Sequence, residues 1–546
     1  MSRTMNSDLI TGDPTLYDED WTDADQNIDA LIIGTMWDFS GGMSITYSFP
    51  DAVADYSYTN GIDTFDGQFT STWQAQARLA IAEYEKVTGI TFTEVTSPND
   101  QAVLRFAEGK DLGTAFGYYP FDGESGGDMF FNYSNYNPNA NIGTYTFATI
   151  LHELGHAMGL KHGHEDDSFY SPSGGPVGPG RIETAFNSLE YTQMTYKSYS
   201  GQPDTLGFYT TKSGHYPQTL MMLDIAALHR LYGADYTDQA GDSVYTFDTF
   251  SGEMFINGSG QGVARTDSGA IAQVTLRTVW DGNGEDTYDF ANFTTDMAID
   301  LTPGGYTDFD VGGNLLRSLL NQGYDDFENF VGASEYEYAR GHLFNAMLSD
   351  GDLRSLIENA NGGSGDDAIL GNQGDNKLVG NDGGDTITGG EGKDRLEGGQ
   401  GIDKLYGGDQ KDNLIGGKGK DRLLGEGGKD NLTGGKGKDR LEGGDGNDTM
   451  DGGRGDDRLF GQGGDNTLTG GLNADIFMFN RKSGNDVITD WEDGIDKIEI
   501  TTKGGYSGFS VNDNGTDIVI DYGFGNTVTL LGMSGTTIDG SDIIEI

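Results

Sequence analysis

Hydrophobic and polar positions follow a helical spacing in two stretches and alternate in most others, which predicts a mixed fold. "MSITYSF" (43–49) and "VLRFA" (103–107) alternate like half-buried strands. "STWQAQARLAIAEYEKVTG" (71–89) has a helical period with a serine start signal and a closing glycine, and "TYTFATILHELGHAMG" (144–159) predicts a second helix that also ends at glycine. The first half of the chain is therefore expected to contain both helices and strands.

The pattern changes three more times along the chain. Residues 1–35 are acidic and lack periodicity, which favours a leader or removable propeptide. From 236 to 361, β-branched and aromatic residues alternate with Gly/Asp turns, as in "VTLRTVWDGNGEDTYDF" (274–290). Residues 479–546 again alternate as strands, so both segments are expected to be rich in β structure.

Between them, 362–478 divides without gaps into thirteen nonapeptides. The first position is always glycine, the eighth is always apolar, and the sixth is Asp in eleven repeats and Asn in two (Asn376 and Asn466). Each nonapeptide predicts a six-residue glycine–aspartate turn and a three-residue strand with one inward apolar side chain. A disordered glycine-rich linker is the alternative, but a linker does not keep an apolar residue in register thirteen times.

This repeat needs a cation to fold. One apolar side chain per nine residues is a thin core, glycine turns cost conformational entropy, and stacked aspartates repel each other. Calcium takes 6–8 oxygen ligands from carboxylates and backbone carbonyls, which this sequence supplies in every turn. The pattern G-G-x-G-x-D-x-U-x predicts a calcium-binding parallel β-roll.

Composition narrows the classes of partner. With 33 basic and 87 acidic residues the formal charge is −54, which argues against nucleic acid and anionic membrane surfaces. No apolar run approaches the roughly 20 residues that span a bilayer, so membrane insertion is not expected. The chain has no cysteine, so metal ions are the expected cross-links. The amino terminus has no signal-peptide pattern, and taken alone these features favour the cytoplasm.

Four of the seven histidines lie within "HELGHAMGLKHGH" (152–164). His152 and His156 share one helix face, whereas a continued helix would carry His162 about 15 Å away. Gly159 can take a positive φ, so the chain can turn there and return His162 to the same ion. His164 is an alternative ligand two residues beyond the expected position.

Three neutral imidazoles leave one coordination position open for water, which is typical of catalytic zinc. Glu153, beside the first ligand, is placed to take a proton from that water as general base. H-E-x-x-H-x-x-G-x-x-H is the extended metzincin signature.

The nonapeptides resemble the RTX repeats of proteins exported by bacterial type I systems, and together with the zinc motif they make the chain similar to the serralysin family of secreted zinc endopeptidases. That resemblance implies an α+β fold: a metzincin zinc-protease domain followed by a calcium-binding parallel β-roll with two repeats per turn and a C-terminal β-rich export domain. The implied organisation is a leader, a protease domain, a β-rich connection, the roll and a C-terminal domain, over residues 1–35, 36–235, 236–361, 362–478 and 479–546.

The resemblance also assigns residues. "YTQMTYKSY" (191–199) resembles the family's Met-turn, which implies that Met194 forms an apolar floor beneath the zinc and that Tyr196 approaches the metal, as a catalytic group and an extra ligand. "MMLDIAALHRLYGAD" (221–235) resembles the long helix that closes the catalytic domain. The implied calcium ligands are Asp281, Asp286, Glu358, Asp367, Asp385, Asp394, Asp403, Asp412, Asp421, Asp430, Asp439, Asp448 and Asp457.

The implied function is a secreted zinc metalloendopeptidase, synthesised as a zymogen if the leader is removed, with one catalytic zinc and several structural calcium ions. The terminal "SDIIEI" resembles an uncleaved type I export signal, which replaces the cytoplasmic expectation by an extracellular one. Implied partners are protein substrates, the ABC secretion machinery and a proteinaceous inhibitor, and the chain is expected to be a monomer. Substrate is expected along an edge strand in "TAFGYYP" or "GDMFFNY" (127–133).

Two alternatives remain to be weighed. "GESGG" (123–127) fits G-x-S-x-G, but Ser125 precedes every histidine and lies in a glycine-rich loop between strands, so a serine hydrolase is disfavoured. The rival function is a calcium-dependent adhesin or matrix protein with an inactive protease-like scaffold. An intact set of His152, Glu153, His156, His162 and Tyr196 favours the enzyme.

Overall fold

The computed structural model describes most of the chain, and its coverage sets what can be said of each segment. The described residues are 27–33, 36–39, 42–56, 65–96, 102–110, 112–120, 125–136, 138–164, 181–202, 209–324, 336–501, 509–523, 525–538 and 541–545. Most of the predicted leader lies outside them. One compact unit contains the described residues up to Ser243 with Phe247–Gly284 and Asn314–Ser355; the second contains Val244–Thr246, Glu285–Gly313 and the chain from Leu356. The borders of the five predicted domains stay predictions.

The first unit is built on a twisted six-stranded sheet in the order β3-β1-β4-β6-β5, with β2 paired to β4 beside this path. Strands β1, β3, β4 and β6 are parallel, whereas β5 runs antiparallel to β6 and forms an edge. The strands are β1 (Ser44–Ser48), β2 (Phe65–Gln68), β3 (Thr91–Glu94), β4 (Leu104–Gly109), β5 (Ala115–Gly117) and β6 (Asp128–Phe131).

Three helices pack with this sheet: α1 (Ser71–Thr88), α2 (Tyr145–Ala157) and α3 (Met222–Tyr232). Helix α1 starts where the sequence predicts, but Thr70 rather than a serine caps it, because the Thr70 side chain accepts a hydrogen bond from the Trp73 N–H. The predicted terminal glycine is Gly89, with φ of 63°. Helix α2 is mostly apolar and is buried along nearly its whole length, so it lies in the core together with Tyr84 of α1.

The chain from 244 to 345 forms short strands. They are β7 (Val244–Phe247), β8 (Met254–Ile256), β9 (Ser259–Gly260), β10 (Arg277–Val279), β11 (Thr287–Asp289), β12 (Ala298–Asp300), β13 (Tyr306–Thr307), β14 (Leu319–Gln322), β15 (Tyr336–Tyr338) and β16 (Leu343–Asn345).

The repeats form two parallel sheets, with successive strands assigned alternately to one sheet and the other. Through the repeats one sheet contains β17, β19, β21, β23, β25, β27 and β29, and the other contains β18, β20, β22, β24, β26, β28 and β30. Leu378 pairs with Leu396 and Leu396 with Leu414, an offset of 18 residues, so two nonapeptides make one turn of a roll. The predicted parallel β-roll is therefore confirmed.

The strands of the roll and the following segment are β17 (Asn359–Asn361), β18 (Ala368–Leu370), β19 (Lys377–Asp382), β20 (Thr386–Gly390), β21 (Arg395–Gly401), β22 (Lys404–Asp409), β23 (Asn413–Gly419), β24 (Arg422–Gly428), β25 (Asn431–Gly437), β26 (Arg440–Gly446), β27 (Thr449–Arg454), β28 (Arg458–Gly463), β29 (Thr467–Leu472), β30 (Ile476–Phe479), β31 (Asn485–Ile488), β32 (Lys497–Ile500), β33 (Ser510–Asp513), β34 (Ile518–Gly523), β35 (Asn526–Leu530) and β36 (Ile543–Glu545).

Most of these strands are five to seven residues long within the repeats, so the predicted three-residue strand is too short. The pairing continues past the ninth position into the first glycines of the next repeat, because glycine N–H and C=O groups join the ladder there. The eighth-position side chains point inward as predicted, and each is at most 2% exposed, from Ile369 to Phe477. They form the single-file core of the roll.

The C-terminal strands continue both sheets of the roll. Strand β31 pairs in parallel with β29 and β35, and β32 pairs in parallel with β30. The pairs β35–β34 and β34–β33 at the end of the first sheet are antiparallel. The mostly-strand fold, with one unit of mixed helices and strands and a parallel roll, agrees with the predicted α+β fold class. Among the described residues, no helix has both the length and the apolar character needed to cross a membrane.

Candidate metal centre

Helix α2 places two imidazoles side by side in the core of the first unit. His152 and His156 are four residues apart, and both are less than a tenth exposed. Their ring centroids are 4.7 Å apart. A helix presents residues i and i+4 on the same face, so the two rings point to one side of α2.

A chain reversal after α2 brings the third imidazole back to this pair. Helix α2 ends at Ala157, and Gly159 adopts a φ of 98°, a conformation that favours glycine. The Leu160 N–H then donates to the Gly155 carbonyl at 2.9 Å, which closes the turn. As a result the Nε2 atom of His162 lies 3.0 Å from the Nε2 atoms of both His152 and His156.

The other ring nitrogens fix the orientation of two of these imidazoles. Nδ1 of His152 lies 2.7 Å from the Gln193 carbonyl, and Nδ1 of His156 lies 2.8 Å from the Leu160 carbonyl. A carbonyl can only accept, so each Nδ1 carries the proton and each Nε2 presents a lone pair. Burial, followed by the neighbouring His152, lowers the pKa of His156 well below its ordinary value and that of His162 to about 2.

This donor set fits zinc. The Nε2 lone pairs of His152 and His156 face the Nε2 atom of His162, so only the His162 ring can supply a proton to the point where the three atoms converge. Two nitrogens bound to a tetrahedral zinc ion at 2.0–2.1 Å are about 3.3 Å apart, close to the 3.0 Å separations observed here. Among the described residues, the only group of three or more metal-ligating side chains this close together is His152, His156 and His162.

Glu153 places a buried carboxyl group on α2 beside the histidines. The residue is 5% exposed, and its Oε2 atom has no hydrogen-bond partner. Burial raises the pKa of this carboxyl to about 8, while the Gly117 N–H of strand β5 lowers it by donating to the carboxylate. A carboxyl that titrates near neutral pH can accept and return a proton, which suits general acid–base chemistry.

Tyr196 lies on the open side of the histidine group. Its ring centroid is 4.4 Å from that of His162 and 4.9 Å from that of His164, and the residue is 48% exposed. The His164 ring lies beside His162, with centroids 5.3 Å apart, but His164 is not part of the converging trio. The acidic residues 165–167 that follow lie outside the described residues.

Met194 lies directly beneath α2. The residue is fully buried, and a Cβ atom added to Gly155 would lie only 2.6 Å from the Met194 Sδ atom. The Met194 carbonyl accepts from the Gly163 N–H at 3.0 Å, which ties this turn to the segment carrying His162. The sulfur therefore fills the space that the missing Gly155 side chain leaves.

Asp224 is a residue of this site that the sequence analysis missed. Its carboxylate accepts from the Thr192 hydroxyl at 2.5 Å and from the N–H groups of Gln193 and Met221 at 2.8 and 3.0 Å. Gln193 in turn presents its carbonyl to Nδ1 of His152. The available signal was a lone carboxylate in the apolar first half of helix α3.

A small pocket of about 50 Å³ opens beside His152 and Glu153. Its walls include the rings of Tyr145, Tyr209 and Tyr216. Strand β5, within the first of the two predicted substrate segments, forms part of the rim, whereas β6 in the second segment is an inner strand. The site thus combines a metal-binding trio, a buried carboxyl, a pocket and a sheet edge.

Ser125 lies in the turn before β6, where its carbonyl accepts from the Asp128 N–H. A strand follows it rather than the helix that a nucleophile elbow requires. Residues 123 and 124 of the motif lie outside the described residues.

The roll offers a second kind of metal site at the sixth position of its nonapeptides. The Oδ1 atom of each aspartate accepts from the backbone N–H 18 residues earlier, for example Asp385 N–H to Asp403 at 2.9 Å, whereas the Oδ2 atom is buried without a partner. This pattern holds for Asp385, Asp394, Asp403, Asp412, Asp421, Asp430, Asp439, Asp448, Asp457 and Asp475.

These orphaned oxygens share their space with backbone carbonyls. A Cβ atom added to Gly407 would lie 2.5 Å from Asp412 Oδ2 and 2.8 Å from the Gly425 carbonyl oxygen. At Gly434 the corresponding distances, to Asp439 Oδ2 and the Gly452 carbonyl, are 2.8 and 2.7 Å. Buried carboxylate and carbonyl oxygens converging on one small space are the ligands that calcium prefers, so the donor set fits calcium.

The remaining predicted calcium ligands differ from this pattern. Both oxygens of Asp367 accept backbone N–H bonds, from Met297 and Gly363. Asp286 is buried, and its N–H donates to Glu358 at 2.8 Å. Asp281 is buried and accepts from the Asn283 N–H.

Two aspartates outside the predicted set also carry orphaned Oδ2 atoms. Asp475 is the sixth residue of the last nonapeptide, so the repeat pattern could have identified it. Asp486 follows an insertion that interrupts the nine-residue period, so the pattern could not identify it. The Asp486 Oδ1 atom accepts from the Asn466 N–H, so Asp486 extends the same ladder by one more turn.

Three protein-family models match separate parts of the chain. They are Matrixin at residues 55–183, Peptidase M10 serralysin C terminal at 234–324, and four copies of the RTX calcium-binding nonapeptide repeat between 361 and 477. The predicted cofactors, one zinc ion and several calcium ions, are confirmed by these matches together with the histidine trio.

Curated relatives are similar over the same region. The chain is 30% identical to the metalloprotease AprA of Pseudomonas entomophila, over 61% of this chain and 59% of the relative, and 33% identical to serralysin C of Dickeya chrysanthemi, over 54% and 58%. Serralysin of Proteus mirabilis is 28% identical over 55% and 59%. The chain spans about three fifths of the length of these relatives. The resemblance to the serralysin-type metzincin metalloproteases, predicted from the zinc motif and the nonapeptides, is thereby confirmed.

Proposed function

We propose that this chain is a secreted zinc-dependent endopeptidase that hydrolyses peptide bonds of extracellular proteins. The main support for this proposal is that three Nε2 atoms converge beside the buried carboxyl group of Glu153. The similarity to metalloproteases supports the same reaction class. His152, His156 and His162 would hold the metal, and Tyr196 would be available as a further ligand.

Zinc, when bound, supplies a Lewis acid that makes water nucleophilic near neutral pH. Glu153 acts as general base: its unpartnered Oε2 atom accepts the proton of the attacking water and later delivers a proton to the leaving amine. The Gly117 N–H holds the carboxylate in place. Tyr196 is half exposed beside His162, and its hydroxyl donates a hydrogen bond to the substrate carbonyl oxygen as negative charge develops there.

Strand β5 is proposed to bind substrate by adding an extended peptide to the sheet. Among the described residues β5 pairs on one side only, with β6, and its Gly117 end lies against the Glu153 segment of α2. The pocket of about 50 Å³ beside His152 has room for a short side chain only, because three tyrosine rings wall it. Substrates with a small residue next to the scissile bond fit this pocket.

The partners in this proposal are protein substrates, the type I (ABC) export machinery and a proteinaceous inhibitor, and the chain acts as a monomer. Low cytosolic calcium would leave the roll unfolded during export, since its buried carboxylates repel one another without a cation. Calcium outside the cell would then fold it.

Replacement of the general base tests the mechanism. Glu153→Ala is expected to lower the rate of casein cleavage by at least about 10²-fold, because no other described carboxyl lines this pocket. The variant should still bind one zinc ion per chain, since all three imidazoles remain, and elemental analysis measures this directly.

Glu153→Gln serves as the matched control for shape, because it retains the volume and the acceptor oxygen but not the basicity. Both variants should be inactive. Substantial residual cleavage by either variant with zinc bound would contradict the role of Glu153, and a zinc-loaded wild-type chain without peptidase activity would favour the adhesin alternative.

A further inference from the structure

One sheet of the roll carries a column of cations on its outer face. Lys418, Lys436 and Arg454 occupy the third position of three nonapeptides, and the register pairs Lys418 with Lys436 and Lys436 with Arg454. All three are exposed. We call these three residues the basic column.

The basic column lacks counterions. Lys418 donates to the neutral Gln400 side chain at 3.0 Å, while Lys436 and Arg454 have neither an ion pair nor a side-chain hydrogen bond among the described residues. Like charges on directly paired strands, about 4.8 Å apart, destabilise a sheet. None of the three forms an ion pair with a carboxylate of the described residues, so their positive charge is available to a ligand.

A groove runs alongside the basic column. Its floor is bare backbone, because Gly399, Gly417 and Gly435 pair across the sheet with φ values between 105° and 115° that disfavour any side chain. The groove has a volume of about 720 Å³.

On the bank opposite the cations, Ile415, Thr433 and Asp451 share their strands with Lys418, Lys436 and Arg454. Val379 lies further along this bank, on the strand that carries Asp382. The groove therefore presents positive charge along three rungs and one apolar side chain, Ile415, beside Lys418.

The groove has a defined end and no counterpart on the other sheet. Toward the start of the roll the column continues as Gln400 and Asp382, and Glu397 joins the opposite bank, so its positive part is confined to three rungs. On the other sheet the third position carries Asp409, Gly427 and Asp445.

The other sheet also has a column of cations, but part of it is neutralised. Arg422 and Arg440 both contact the Glu442 carboxylate, at 3.2 and 2.7 Å. The two faces of the roll therefore differ in charge where a ligand would lie.

We propose that this groove binds an extended acidic polysaccharide, a chain with one carboxylate or sulfate on each sugar. The cations repeat every ~4.8 Å along the column, close to the length of one sugar unit, so a polymer with one anion per sugar matches the spacing of the column. The apolar face of a sugar ring packs on Ile415, beside Lys418. The site is separate from the metal centre and goes beyond the proposed proteolysis.

Other polyanions fit less well. An extended acidic peptide presents same-side carboxylates every ~6.8 Å, out of step with the rungs. Duplex nucleic acid carries a charge every ~1.7 Å of axis, which does not match the ~4.8 Å spacing of the cations.

Binding of a short oligouronate, a hexasaccharide, to the full calcium-loaded chain tests the proposal by calorimetry. The wild type is expected to bind it, more weakly as salt is added, while a neutral dextran fragment of equal length does not bind. The triple variant Lys418→Gln, Lys436→Gln, Arg454→Gln should lower the affinity by about tenfold, as three exposed ion pairs of ordinary strength would.

The matched control removes the same charge from the other sheet: Lys404→Gln, Arg422→Gln, Arg440→Gln. It should keep wild-type affinity. An equal loss of affinity in both triple variants would show that only the net charge matters and would overturn the proposal. Absence of oligouronate binding, or tighter binding of an oligoglutamate, would overturn it as well. If the first triple variant does not fold, Lys436→Gln alone should weaken binding and Lys436→Arg should restore it, and failure of this pair also overturns the proposal.

Discussion

At the scale of single residues, the arrangement of the histidine trio depends on the absence of a side chain at Gly155. Gly155 lies between His152 and His156 on α2, and Met194 Sδ occupies the place where its side chain would project. The Tyr84 hydroxyl lies on the same side and donates to the Leu151 carbonyl at 2.7 Å. Neither neighbour has room to withdraw in a close-packed core.

Gly155→Ala is therefore expected to destabilise the protein despite the higher helix propensity of alanine. A Cβ only 2.6 Å from the Met194 sulfur forces a shift, and overpacking of this kind costs about 1–3 kcal/mol. The shift would also move the imidazoles, so zinc affinity should fall. Chemical denaturation and zinc titration with a competing chelator measure the two effects.

A double variant separates crowding from other causes. Gly155→Ala combined with Met194→Ala should cost less than the sum of the two single changes, because the new methyl group occupies part of the vacated space. Strict additivity would show that Met194 is not the obstacle.

At the scale of secondary-structure elements, the start of α3 holds the turn that supports the zinc ligands. Asp224 accepts from two backbone N–H groups and one hydroxyl, and is fully buried. Burial raises the pKa of this carboxyl to about 6, although its hydrogen bonds and the positive end of the helix dipole favour the ionised form. Gln193 links α3 to His152, because its N–H donates to Asp224 and its carbonyl accepts from His152 Nδ1.

Asp224→Ala should lower the free energy of unfolding by about 2–5 kcal/mol, because it leaves buried N–H donors without an acceptor. Asp224→Asn keeps an acceptor for the Gln193 and Met221 N–H groups, so it should cost far less. Zinc affinity should follow the same order, with about a 10–100-fold loss for alanine.

The pH dependence provides a second readout. A folded-state pKa raised above the unfolded value means that the wild type loses stability as pH rises through about 4 to 6, and Asp224→Asn should remove this slope. Equal stability of the alanine and asparagine variants would contradict the assigned role.

At the scale of the whole molecule, the roll is a stack of buried carboxylates around a thin apolar core. Burial raises the pKa of the sixth-position carboxyls to about 7 at Asp412 and Asp421 and about 6 at Asp403. In the absence of calcium the folded roll binds more protons than the unfolded chain between about pH 4 and 7, so its stability falls as pH rises through that window.

Calcium removal should therefore melt the roll at about pH 8 and affect it much less at about pH 5. Circular dichroism of the full chain with and without a chelator, at the two pH values, measures the β-sheet signal. Returning calcium at the higher pH should restore it, since the ionised carboxylates are then neutralised. An unchanged spectrum after chelation at the higher pH would contradict calcium binding by these carboxylates.

Local patterns predicted much of the fold and of the metal centre. The spacing of His152, Glu153 and His156 on a helix and the break at Gly159 depend on residues close in sequence, so their geometry follows from helix periodicity and glycine conformation. The roll could also be predicted from the sequence, because each turn repeats the same pattern over 18 residues and contacts only the neighbouring turns.

The tertiary structure decided what depends on residues far apart in sequence. Packing put Met194 under Gly155, linked Asp224 to His152 through Gln193, and made β5 rather than β6 the sheet edge. It also extended the repeat strands beyond three residues and aligned Lys418, Lys436 and Arg454 on one face. A sequence fixes the period of a pattern, but only the folded chain determines which distant groups share a space and a charge environment.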